Sequence, residues 1–160
     1  TEAYKALVKS WFGSVSPSVL KEYPAPFLSD CRSQLDVLST DYLFVCSDRN
    51  MSLSLARNTP VFVYQFFHTP GYDPINHNNK GCQTVPCHSS EIPYVFHSQS
   101  FVPGATWTPQ ESDLSFTMMT FWLQFIHGKF DTTTGIQGLN GLTWPAFSSK
   151  SLTSMGFDLT

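Results

Sequence analysis

Charge is scarce in this sequence: Asp, Glu, Lys and Arg together make up 13% of its 160 residues. The nine basic residues stand singly, and a net charge of -3 leaves no basic patch to meet a phosphate backbone, so no nucleic-acid partner is expected. Long apolar runs are missing too. None approaches the roughly 20 residues a helix needs to cross a bilayer, and no membrane span is expected. The opening TEAYKALVKSWFG has neither the charged n-region nor the apolar h-region of a signal peptide, so such a leader is expected to have been removed or never present. No internal repeat or low-complexity tract occurs, and residues 1–160 read as belonging to one domain.

What is present would fill a core: 41% hydrophobic residues, with 15% aromatic. The four cysteines, Cys31, Cys46, Cys82 and Cys87, are an even number in a weakly charged chain. That combination leans towards an oxidising compartment, secreted or secretory and lysosomal. The sequon Asn50-Met51-Ser52 is compatible with such a location and makes Asn50 a glycosylation candidate.

Tyr4, Leu7, Val8, Trp11 and Phe12 recur on one helical face and Gly13 stands where a cap would sit, which predicts a first helix. Ser16-Pro17 predicts an N-cap and first turn of a short second helix that stops before Pro24, and Pro24–Phe27 reads as a surface loop. A helical period from Arg32 through Leu35, Leu38, Tyr42 and Val45 predicts one or two helices reaching to about Asn58. Val61–Phe67 is β-branched and aromatic with almost no polar interruption, as in a strand buried on both faces of a mostly parallel sheet. His68–Lys80 is long, and its Pro, Gly, Asp and Asn content is loop chemistry.

Thr108-Pro109-Gln110-Glu111 is a capping box, and Leu114, Met118, Phe121, Trp122, Phe125 and Ile126 form the stripe of the helix it opens. Leu142–Pro145 and Met155–Leu159 could add short extended pieces. One strong strand cannot pair its own backbone groups. The pattern therefore predicts part of an α/β domain whose other strands lie elsewhere, incomplete on its own.

Three segments resemble the type-B carboxylesterases and cholinesterases of the α/β-hydrolase fold, in their C-terminal portion. Thr40–Cys46, TDYLFVC, is similar to the family's Asp-x-x-Phe-x-Cys helix, and Pro60–Phe66 to a late core strand. Cys87–Phe96, CHSSEIPYVF, resembles the His-Gly-x-Glu-Leu-Pro-[Tyr/Phe]-Val-Phe segment that carries the catalytic histidine. The Trp122 helix and Trp144-Pro145 follow in the family's order. The resemblance implies that His88 is the general base, then general acid, of a Ser-His-acid triad acting on a small-molecule ester, with no metal and no organic cofactor. It departs from the family at Ser89, where glycine is usual, and that turn is altered if the backbone needs a positive φ. It departs again at Cys46, whose family partner lies near the C-terminus: with no cysteine after Cys87, Cys46 is free or pairs with Cys31.

No Gly-x-Ser-x-Gly occurs in the 160 residues, so nucleophile and acid are expected from an N-terminal portion of the same hydrolase, and the isolated chain is expected to be inactive. The alternative is a non-catalytic esterase-like module used for adhesion or as a subunit of a larger assembly. Glu91 is expected to brace the histidine loop rather than to act as the triad acid. Cys82, Cys87, His88 and His77 or His97 have zinc-ligand chemistry, yet the spacing fits no common zinc motif. A Cys82–Cys87 disulfide just ahead of His88 is the better account. His68, His97 and His127 read as surface or hydrogen-bonded residues, and Asp41 as a cap or ion-pair partner.

Overall fold

The N-terminal helix forms because its apolar residues return every three or four positions, and it stops because Gly13 takes φ +52°, a left-handed conformation that a side chain would resist. The computed structural model describes residues 1–25, 30–101, 104 and 106–159. These divide into two compact units, Thr1–Ser54 and Leu55–Thr160. Of the expected Pro24–Phe27 loop, Pro26 and Phe27 lie outside the described residues.

The first unit is helical. Helix α1 (Glu2–Phe12) is followed by a short 3-10 turn and α2 (Ser16–Glu22). Helix α3 (Arg32–Thr40) then runs without a break through a π-helical turn at Asp41–Val45 into α4 (Cys46–Leu55). Tyr4, Val8 and Leu38 are its buried centre, with Phe12, Val19, Leu20 and Leu35 packed around them. Two phenols tie the helices: Tyr4 donates to the Tyr23 carbonyl at 2.9 Å, and Tyr23 donates to Asp41 Oδ2 at 2.7 Å. Asp41 is thus held by a neutral hydroxyl.

The second unit packs helices against a small sheet. Strand β1 (Tyr64–Phe66) pairs in parallel with β4 (Met155–Phe157), with Tyr64 opposite Met155 and Phe66 opposite Phe157. A separate antiparallel pair joins β2 (Ile136–Gln137) to β3 (Thr143–Trp144). Between β1 and β2 lie the one-turn helix α5 (Ile92–Val95) and the long α6 (Pro109–Ile126). The core is Tyr94, Leu114, Met118, Phe121, Ile136, Trp144 and Phe157. At its edge the Val63 carbonyl accepts from both Met155 N and Trp144 Nε1, each at 2.9 Å.

The run Val61–Phe67 corrects one expectation. Its ladder covers only Tyr64–Phe66, and Gln65 and Phe67 are exposed rather than buried on a second face. The reason is supply: among the described residues β1 has one partner strand, and the aromatic cover from α6 and Trp144 lies over Phe62 and Tyr64. The stripe on α6 is present as the capping box implied, with Phe121 fully buried and Phe125 turned outward onto Phe62 and Phe130. The turn 92–95 is helical because Pro93 fits the first turn of a helix.

Candidate functional site

His88 opens a turn that begins where a disulfide ends. Cys82 and Cys87 are joined, with Sγ atoms 2.02 Å and Cα atoms 5.5 Å apart, and Cys82 is buried. The imidazole of His88 is exposed, and the chain returns inward at Ser90. Between them Ser89 takes φ +72°. The position therefore keeps a left-handed backbone although it carries a serine instead of glycine, and the turn closes with Ser90 N donating to the Cys87 carbonyl at 3.0 Å.

The carboxylate beneath this turn is Asp73, from the loop after β1, only 6% exposed. Its Oδ1 accepts from the amides of Ile75 and Asn76, each at 2.9 Å, and its Oδ2 from Asn76 Nδ2 at 3.0 Å and from the Ser90 hydroxyl. Asn76 Nδ2 also donates to the His88 carbonyl at 3.1 Å, and Cys87 N donates to Ser90 Oγ at 3.0 Å. Burial works against the charge on Asp73, but the bonds from Ser90, Asn76 and Ile75 outweigh it and hold the carboxyl below its ordinary range. Glu91, expected as the brace, is half-buried, and its carboxylate accepts from the Tyr64 hydroxyl at 3.5 Å.

A second buried carboxylate, Glu111, sits at the start of α6. One oxygen closes the capping box, taking Thr108 N at 2.8 Å and Thr108 Oγ1 at 3.0 Å, while the Thr108 hydroxyl oxygen accepts from Glu111 N. The other oxygen lies 3.1 Å from each of His68 Nε2, Gly71 N and the Tyr94 hydroxyl. Burial again opposes ionisation, and the donors from Thr108, Gly71 and His68 overcome it, leaving the carboxyl at about 2. Glu111 thus pins the loop after β1, and α5 through Tyr94, to one helix end. The cap was legible from Thr-x-x-Glu spacing; the additional partners, up to 43 residues away, were not.

The other histidines divide. His68 is buried against Glu111, His97 lies 2.9 Å from Ser115 Oγ, and His127 is exposed at the end of α6. Among the described residues no group of three or more His, Cys, Asp or Glu could hold a metal ion, and both cysteines of the zinc alternative are committed to the disulfide. Cys31 and Cys46 are not joined to each other. Cys31 stands at the start of the continuous helical run and Cys46 lies within it, and 15 residues at 1.5 Å each separate them by roughly 20 Å, against the roughly 7 Å limit of a disulfide. Asn50 is exposed on α4. Among the described residues no helix is long and apolar enough to cross a membrane.

Comparison with known proteins agrees with this architecture. The chain is similar to the crystal protein of Dictyostelium discoideum, 30% identical over 141 residues, which are 86% of this chain and 25% of that protein. It is 29% identical over 125 residues to the cAMP-regulated D2 protein of the same organism, covering 76% of this chain and 23% of the other. It is 32% identical over 90 residues to the acylcarnitine hydrolase of Rattus norvegicus, covering 56% of this chain and 16% of that enzyme. The chain spans about a quarter of the length of the two Dictyostelium relatives. A PNB esterase structure superimposes with a TM-score of 0.67 at 21% identity, over 98% of this chain and 29% of that one, which shows the α/β-hydrolase fold in part. The model of the Carboxylesterase family matches residues 2–160. An esterase-like portion of an α/β-hydrolase fold, with helices on a small parallel sheet, is what the sequence and the architecture both describe, and the chain belongs to the carboxylesterase family.

Proposed function

We propose that this chain supplies the histidine of a serine-esterase site. His88 accepts the proton of a serine hydroxyl as the oxygen attacks an ester carbonyl, then donates it to the departing alkoxide; water repeats the sequence on the acyl-enzyme and regenerates the serine. Serine and acid come from the N-terminal portion of the same hydrolase, the expected partner, and the substrate is a small carboxylic ester. The reading calls for no metal or organic cofactor.

The observation that supports it best is the turn itself: an exposed imidazole follows a disulfide and sits on backbone held on one side by buried Ser90 and on the other by half-buried Asn76. A general base must keep its ring within hydrogen-bond reach of the nucleophile, and a fixed backbone limits how far the ring can wander. The same disulfide is compatible with an oxidising, secretory setting, where Asn50 would carry a glycan. A mass decrease on N-glycanase treatment of native material, absent in Asn50→Gln, tests that assignment; no decrease overturns it.

The catalytic test uses the full reading frame containing this chain and a short-chain p-nitrophenyl ester. His88→Ala is expected to lower kcat by about 10⁴-fold and to abolish labelling by a fluorophosphonate probe. Turnover that survived the substitution would overturn the assignment. The second reading, a non-catalytic interaction module, is favoured by the serine at position 89, where catalytic relatives usually carry glycine. It predicts a folded full-length protein that neither hydrolyses the ester nor takes the probe.

A further inference from the structure

We infer that Asp73 is a positioning residue for His88: its buried carboxylate, acting through Ser90 and Asn76, fixes the Cys87–His88 backbone and so aims the imidazole. This rests on the reading of His88 as the catalytic base, and it assigns a role to a residue 15 positions upstream that the sequence segment around His88 does not contain.

The connectivity carries the inference. The peptide units at the two ends of the Cys87–His88 segment, Pro86–Cys87 and His88–Ser89, are each held by a side chain, and both side chains end on the same oxygen. Cys87 N donates to Ser90 Oγ, whose own proton goes to Asp73 Oδ2. The His88 carbonyl accepts from Asn76 Nδ2, whose other hydrogen goes to that same Oδ2 at 3.0 Å. The remaining oxygen, Oδ1, takes the Ile75 and Asn76 amides, which folds Asp73–Asn76 into a tight turn and sets where Asn76 points. Every donor to Asp73 therefore either bonds the backbone of Cys87 or His88 or shapes the turn that carries Asn76.

Burial says this is no surface decoration. Ser90 is 1% exposed, so its hydroxyl has no solvent to exchange with, and a carboxylate withdrawn from water must find donors inside the protein. A neutral amide at 73 could not replace it. It would bring two hydrogens to a place already filled by donors from Ser90 and Asn76, and at least one bond would become a donor–donor contact. The geometry also separates Asp73 from Glu91, whose described contact is the Tyr64 hydroxyl rather than the turn.

A residue that only stabilised the fold would change how many molecules are active, whereas a positioning residue changes what each active molecule does. The test therefore normalises rates to sites titrated with the fluorophosphonate, in the full-length protein. Asp73→Asn is expected to lower kcat per titrated site about 10-fold to 100-fold with KM within about twofold, since aim affects the transition state more than substrate binding. Asn76→Ala is expected to lower kcat in the same way but less. The double variant should lose no more than Asp73→Asn alone, because both remove the same linkage.

Hydrogen–deuterium exchange supplies a readout independent of turnover: amides in 87–91 of Asp73→Asn should exchange at least about 10-fold faster, with α6 unchanged. Unaltered kcat per site with unaltered exchange in 87–91 overturns the inference. Faster exchange with unaltered kcat also overturns it, since the clamp would then exist without aiming anything. Should His88→Ala prove fully active, the catalytic reading itself fails, and that outcome is separate because it leaves the exchange result standing.

Discussion

Ser89 is where the chain departs from the family pattern it resembles, and its backbone is left-handed all the same. A side chain at φ +72° costs about 1 kcal/mol relative to glycine, and the turn retains that conformation because Ser90 and the disulfide on either side determine it. Ser89→Gly is expected to raise stability by about 0.5–1 kcal/mol, and Ser89→Val to lower it by about 2 kcal/mol because β-branching worsens the clash. Urea midpoints of the two variants in the full-length protein check both signs. His88 was legible at this scale because its neighbours carry a family pattern. The brace beneath it was not: Asp73 announces itself only as turn chemistry, Asp-Pro-x-Asn, and nothing local says that the turn folds under a histidine 15 residues on. Glu91, nearer in sequence, drew the expectation of a brace, and its carboxylate accepts from the Tyr64 hydroxyl rather than from the turn's own donors.

At the scale of elements, α6 is the organiser of the second unit, and its first turn does two jobs. Glu111 caps the helix with one oxygen and gathers His68, Gly71 and Tyr94 with the other. Glu111→Gln removes the charge all of these donors serve and is expected to cost about 2–3 kcal/mol at neutral pH. The pH dependence has a definite sign. With the folded carboxyl at about 2 and the unfolded one at its ordinary value of 4.5, the native state favours the ionised form. Its stabilisation is complete above the unfolded value and drains away as pH falls through the folded one. The stability gap between wild type and Glu111→Gln should therefore narrow from pH 5 to pH 2, measured by urea titration at each pH; a constant gap would refute the assignment. Helices were readable here because their signals are local: Thr108 to Glu111 for the start, the Leu114–Met118–Phe121 stripe for the buried face. Strand β1 was readable in kind but not in burial, because a run such as Val61–Phe67 states what it can bury and not how many neighbours it has.

For the whole molecule the same aromatic and aliphatic wealth that fills two cores also leaves much apolar surface open. Phe96 is 73% and Phe101 84% exposed, and Tyr42, Leu43, Phe44 and Val45 of the π-helical turn are exposed too. Those four belong to the segment that resembles a family helix, so their composition reads as buried while their setting is not. Expressed alone, the 160-residue chain is expected to bind a hydrophobic dye such as ANS and to sediment as a mixture of associated species. A monodisperse, dye-silent monomer would show instead that the chain is content as it stands. An α/β class could be read from the sequence because strands and helices differ in period; that the two units, Thr1–Ser54 and Leu55–Thr160, form separate cores could not, since Arg32–Leu55 is helical straight up to the boundary.

The parallel pairing of β1 with β4 also has a consequence in time. Tyr64 must wait for Met155, and closing a loop of roughly 90 residues costs about 4 kcal/mol of chain entropy before any ladder bond repays it. On a ribosome adding about 5–20 residues each second, the β1 stretch emerges some 5–20 s before its partner exists. During that interval the Val61–Phe67 run lacks the one partner strand it has among the described residues and offers its aromatic side chains to other chains. The moment of greatest danger for this run is therefore during its synthesis, and pairing with β4 ends it.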